Sequence, residues 1–132
     1  DTWAISKMLE HRKSNLPCET GGVLIGSIDY QRKILYLIDS LLAPSDSIQT
    51  GSSFIRGVDG LKAEYDTYLT LTDNQVIYLG EWHSHPNKCS TRPSNDDNQL
   101  FSYLSETLRQ EGNPTLMLIV GDTAMNFIFE WI

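Results

Sequence analysis

The sequence predicts an α/β (α+β) domain, a mixed β-sheet flanked by helices, in one unit spanning residues 1–132. Three observations carry this. Apolar residues recur at helical spacing in some segments and in strand-like runs in others, in the order helix, strand, strand, helix, strand, helix, strand, strand. Two of those strand pairs are joined by short polar turns, so the sheet is not a purely parallel, doubly wound one. An apolar content of 40% over 132 residues is enough to bury a core without disulfide staples.

The first helix runs from about Thr2 to Ser14, with Ala4, Ile5, Met8 and Leu9 at helical spacing and Pro17 to end it. Gly21 to Ile28 reads as a buried strand. A turn over Asp29 to Arg32 leads into a second strand through Ile34, Tyr36 and Ile38, forming a hairpin. From Pro44 to Gly57 the composition shifts to Ser, Gly and Asp with isolated Ile48, Phe54 and Ile55, which is loop chemistry. Asp59 is the expected cap of a helix that places Leu61, Tyr65, Tyr68 and Leu69 on one face. Val76 to Trp82 is a strand running straight into His83. Ser94 starts a helix with a stripe of Leu100, Phe101, Leu104 and Leu108, stopped at Gly112. Thr115 to Val120 and Met125 to Trp131 are two last strands around Gly121-Asp122. There is no internal repeat or low-complexity linker.

Ten Lys and Arg against seventeen Asp and Glu leave a formal charge of −7. That field repels polyanions and argues against a nucleic-acid substrate. The two cysteines, Cys18 and Cys89, are in no metal-ribbon or redox spacing, which favours a reducing, cytoplasmic setting. No segment approaches the roughly 20 apolar residues of a membrane helix, and no signal peptide is legible. Asp1 in place of Met, and an end at Ile132 inside an apolar run, read as trimmed termini.

Residues two apart on an extended segment share a face, so His83 and His85 aim their imidazoles in one direction from a strand end. Asp97, in the first turn of the next helix, can fold back as a third ligand and leave a fourth position for a catalytic water, the pattern of a zinc site. Each piece has a plain structural reading as well. A solitary His-x-His is usually solvated, Ser94 with Asp97 is a capping arrangement, and Glu19 can be a solvated residue before a strand. The combination of Glu19, Gly21-Gly22, His83-Ser84-His85-Pro86 and Pro93-Ser94-x-x-Asp97 is far more specific than any part.

That combination resembles the JAMM (JAB/MPN) zinc metalloprotease family over nearly the whole chain. Eight residues, Pro86 to Pro93, separate His85 from Ser94, one more than the family pattern, and the extra residue makes Asp96 a second candidate ligand beside Asp97. The runs Gly80-Glu81-Trp82-His83-Ser84-His85-Pro86 and Cys89 to Ser94 look like the small bacterial JAB deconjugases of cyclic-oligonucleotide antiphage (CBASS) operons. The resemblance implies a JAB/MPN, cytidine deaminase-like fold and one Zn2+ per chain on His83, His85 and Asp97. It further implies Glu19 as proton shuttle and Ser94 as oxyanion donor. The implied reaction is hydrolysis after the C-terminus of a ubiquitin-like protein or a conjugated target, such as a nucleotidyltransferase of the same operon. Phe54 and Arg56 are the expected substrate contacts. A non-catalytic MPN scaffold and a RadC-like JAB protein are the alternatives.

Overall fold

A computed structural model describes residues 2–132. Helix α1 (Thr2–Asn15) is followed by strands β1 (Gly21–Asp29) and β2 (Ile34–Leu42) and a short pair, β3 (Ile48–Gln49) and β4 (Phe54–Ile55). Helix α2 (Leu61–Leu71), β5 (Ile77–Ser84), α3 (Asn95–Gln110), β6 (Thr115–Val120) and β7 (Met125–Glu130) complete the chain. The main sheet has the order β2-β1-β5-β6-β7. Only the β5–β6 pairing is parallel, the connection that carries α3 as its crossover. The expected mixed sheet and both hairpins are therefore present.

The two faces of the sheet bury different clusters. Leu24, Leu79, Trp82, Leu118 and Val120 pack with Met8 of α1 on one side. Val23, Ile25, Leu41 and Val76 pack with Leu61, Tyr65 and Tyr68 of α2 on the other. Strand β5 contributes Leu79 and Trp82 to the same face although their numbers differ in parity. The reason is a bulge: Leu24 pairs with Gly80 but Ile25 pairs with Tyr78. One extra residue on β5 reverses the alternation, so that Glu81 and His83 point to the α2 side while Trp82 stays in the α1 core. Gly80 adopts φ 151, and a Cβ there would stand 1.8 Å from the Leu116 carbonyl oxygen. Only glycine fits.

Several local expectations are corrected. In α1 the buried stripe is Ala4, Met8 and Arg12, and Leu9 is exposed. His11, expected at the surface of this helix, is half-buried, its ring edge-on to Trp82 at 6.0 Å. Helix α2 is capped by Gly60 at φ 74 with no side-chain cap, not by Asp59. In α3, Leu104, Ser105 and Leu108 are buried whereas Leu100 is exposed. Residues 44–57 are more than a loop: Ile48 pairs with Ile55 and Gln49 with Phe54. Neither apolar signal is long enough to be read as a strand in the sequence. The base of this arm is tied by the Asp46 carboxylate, which accepts from Val58 N and Asp59 N at 2.9 Å. Among the described residues, no helix is long and apolar enough to cross a membrane.

Candidate metal centre

His83 and Ser84 end β5, and the chain continues beside β6, where His85 N donates to Val120 O at 2.9 Å. Two residues of extended chain thus send both imidazoles to the same side, with ring centroids 5.2 Å apart. The capping geometry of α3 supplies the third group. Ser94 Oγ accepts from Asp97 N at 3.1 Å while Ser94 N donates to Asp97 Oδ2 at 2.9 Å, a reciprocal box that locks the Asp97 rotamer. Asp97 Oδ1 lies 3.1 Å from His83 Nε2, and Oδ2 lies 3.3 Å from His85 Nε2. One atom from each of His83, His85 and Asp97 falls within 4.8 Å of the others. Asp96, the alternative, is exposed on the cleft rim and outside this group.

The cluster has the features of a metal site. His83 Nε2 is buried and, despite its closeness to Asp97, has no hydrogen-bond partner of acceptable geometry, so this nitrogen is left for another partner. His85 Nδ1 is 2.6 Å from the Ser90 carbonyl oxygen. Because a carbonyl only accepts, Nδ1 carries a proton, and the ring turns Nε2 toward Asp97. Burial works against ionisation of Asp97. The two imidazoles and the Ser94 N–H outweigh it and hold the carboxyl far below the usual range. Hydrogen bonding to Asp97 in turn raises His85, against its burial. Two imidazole nitrogens and one carboxylate converging at this spacing are compatible with a divalent metal ion.

Glu19 lies just before β1, 6% exposed, with its N–H donating to Thr50 O at 2.7 Å. Its Oε1 is 4.0 Å from His85 Nε2, beside the cluster and outside it. Desolvation raises its carboxyl, with the neighbouring imidazoles pulling the other way. These groups open into a cleft of about 740 Å³, whose lining includes Glu19, Phe54, Arg56, Glu81, Ser94 and Leu100. Phe54 sits over Gly21, where a Cβ would come within 2.6 Å of its ring. Arg56 reaches the cleft already engaged, its Nε donating to Glu81 Oε1 at 2.5 Å and Nη1 to Gly57 O at 2.8 Å. Glu81 and its partner Tyr78 were not anticipated from sequence, and burial pushes the Glu81 carboxyl up against the pull of Arg56.

A profile of the prokaryotic homologs of the JAB domain matches residues 2–131. The chain belongs to this JAB family. Two curated proteins named CD-NTase/cGAS isopeptidase are similar to the JAB chain. One, from Enterobacter hormaechei, is 33% identical over 83% of this chain and 59% of its own length. The other, from Pseudomonas aeruginosa, is 32% identical over 85% of this chain and 68% of its own length. A probable metalloprotease of Sinorhizobium fredii is 25% identical over 86% of this chain and 70% of its own length. The JAB chain thus spans about three fifths of the Enterobacter relative. Its fold also matches a solution structure of a Desulfitobacterium hafniense protein, with TM-score 0.53 and 19% identity, over 98% of this chain and 87% of the other.

Proposed function

We propose that this JAB chain is a zinc-dependent isopeptidase or peptidase of antiphage defence, acting in the cytoplasm. Its substrate is the bond after the C-terminus of a ubiquitin-like tag or of a conjugated bacterial protein, such as a nucleotidyltransferase of a CBASS operon. The observation that carries the reading is the convergence of His83, His85 and Asp97 beside a buried carboxylate that is not one of them. The isopeptidase names of the two relatives support the reaction class and the conjugated target. Two free cysteines suit a reducing compartment.

His83, His85 and Asp97 would hold the ion. Zinc in such a site supplies Lewis acidity and brings the pKa of a bound water toward ~7. Glu19 takes the proton of the attacking water and returns it to the leaving amine as the C–N bond breaks. Desolvation raises its carboxyl above the usual range, the direction that helps one carboxyl group first accept and then return a proton. Ser94 uses its oxygen to cap α3, which leaves its O–H proton to donate to the oxyanion. The β3–β4 arm, with Phe54, walls the cleft through which an extended tail would pass.

The test is cleavage of ubiquitin-like proteins extended at the C-terminus, using zinc-loaded protein with and without chelator. Glu19→Gln is expected to retain zinc by elemental analysis and to lose cleavage, whereas His85→Ala loses both. Hydrolysis surviving in Glu19→Gln would remove the proposed proton path. No cleavage of any extended fusion by zinc-loaded parent would favour a non-catalytic scaffold.

A further inference from the structure

Arg12 is the least expected buried residue of the molecule. It continues the Ala4–Met8 stripe of α1 into the core and is 6% exposed. No carboxylate pairs with it among the described residues; its guanidinium instead meets neutral acceptors. Nε and Nη2 both donate to the His85 carbonyl oxygen at 3.1 Å, and Nη2 also donates to Asn87 Oδ1 at 2.8 Å. The Asp122 carboxylate acts on this cation only through space, so burying it is costly, and a methionine of similar length would fill the same space without that cost. What arginine alone supplies is a rigid fork that grips two points of one segment.

That segment begins at His85. Other contacts hold it, among them His85 N on Val120 O at 2.9 Å, His85 Nδ1 on Ser90 O at 2.6 Å, Lys88 N on Asp122 Oδ2 at 3.0 Å and the turn bond from Cys89 N to Pro86 O at 3.3 Å. Arg12 is the contact that reaches from the opposite layer and takes the carbonyl of His85 itself. With that oxygen and Asn87 fixed, the backbone torsions that orient the His85 imidazole are fixed as well.

We propose that Arg12 is a positioning residue that orients His85 through its backbone carbonyl and so sets the metal affinity of the site. This rests on the reading of His83, His85 and Asp97 as ligands. The experiment compares parent, Arg12→Met, Arg12→Lys and the exposed-helix control Lys13→Met. Zinc affinity is measured by competition with a chromophoric chelator, and the visible spectrum is recorded on Co2+-loaded protein. Arg12→Met should bind zinc roughly 10- to 100-fold more weakly, the range typical of lost outer contacts to a metal ligand, and should shift the Co2+ bands. Arg12→Lys, with one ammonium in place of the fork, should fall between, and Lys13→Met should match the parent. Affinity within twofold of the parent together with an unchanged spectrum, in Arg12→Met or, if that variant does not fold, in Arg12→Lys, overturns the proposal. A parent that binds neither ion overturns the ligand reading itself, which separates the two failures.

Discussion

Ser94 has a structural role and a proposed chemical one, and a single substitution separates them. Its oxygen accepts the Asp97 N–H, so Ser94→Ala removes a helix cap worth about 1 kcal/mol. If its O–H also stabilises the oxyanion, the same change slows cleavage by ~10²–10³. Urea denaturation reads the first and kcat the second; a slowing of less than tenfold would leave Ser94 a cap alone. The residues of this site were legible in unequal measure. His83, His85, Ser94 and Asp97 declare themselves because their geometry is local: strand alternation aims the first pair and a capping box aims the last. Arg12 and Glu81 stayed hidden because their partners lie 73 and 25 residues away. A signal existed for Arg12, a charge spaced four residues from Met8 on the buried stripe. Arg56, expected to meet substrate, is held by Glu81, a pairing that no sequence spacing encodes.

Among elements, β5 matters most, because it carries both a core and a chemical face. The bulge at Leu79–Gly80 lets Leu79 and Trp82 enter one core while His83 faces the other side. Gly80→Ala forces a Cβ toward the Leu116 carbonyl at a backbone angle that L-residues rarely adopt. We expect a loss of more than about 2 kcal/mol by urea denaturation. A variant within about 0.5 kcal/mol of the parent would show that the bulge relaxes without glycine. The strand itself was readable from its apolar run, and its partners from the hairpins. The bulge was not, since register depends on which strand lies opposite. The same limit applies to the β3–β4 arm, whose two-residue strands carry no periodicity.

At the scale of the molecule, Asp39 on edge strand β2 joins the layers. Its buried carboxylate accepts from Lys7 of α1 at 3.1 Å and from the Tyr68 hydroxyl of α2. Burial, then the bond to Asp39, push the Tyr68 phenol up from 10.0 to about 12. The folded pKa is raised, so this contribution to stability is complete below pH 10 and is lost as pH climbs toward about 12. Tyr68→Phe should flatten the alkaline fall in thermal midpoint across that window; an identical fall in parent and variant would exclude Tyr68 as its source. The mixed sheet and its helices were foreseeable, because alternation of period and short turns are properties of contiguous chain. Which helix covers which face was not, and that choice places Arg12 behind the site and the Phe54 arm in front. The bulge then has a consequence for how this chain tolerates length change. Strand β5 is read in one frame up to Leu79 and in the opposite frame after it. Removing the extra residue there, Leu79, would close the bulge into a regular strand and leave Trp82 in the core and His83 on the cleft side, at the cost of one buried leucine. A deletion in the regular stretch between Gly80 and His83 has no such remedy, because it would turn His83 toward the α1 core, so the bulge is the one place where β5 can lose a residue and keep both faces.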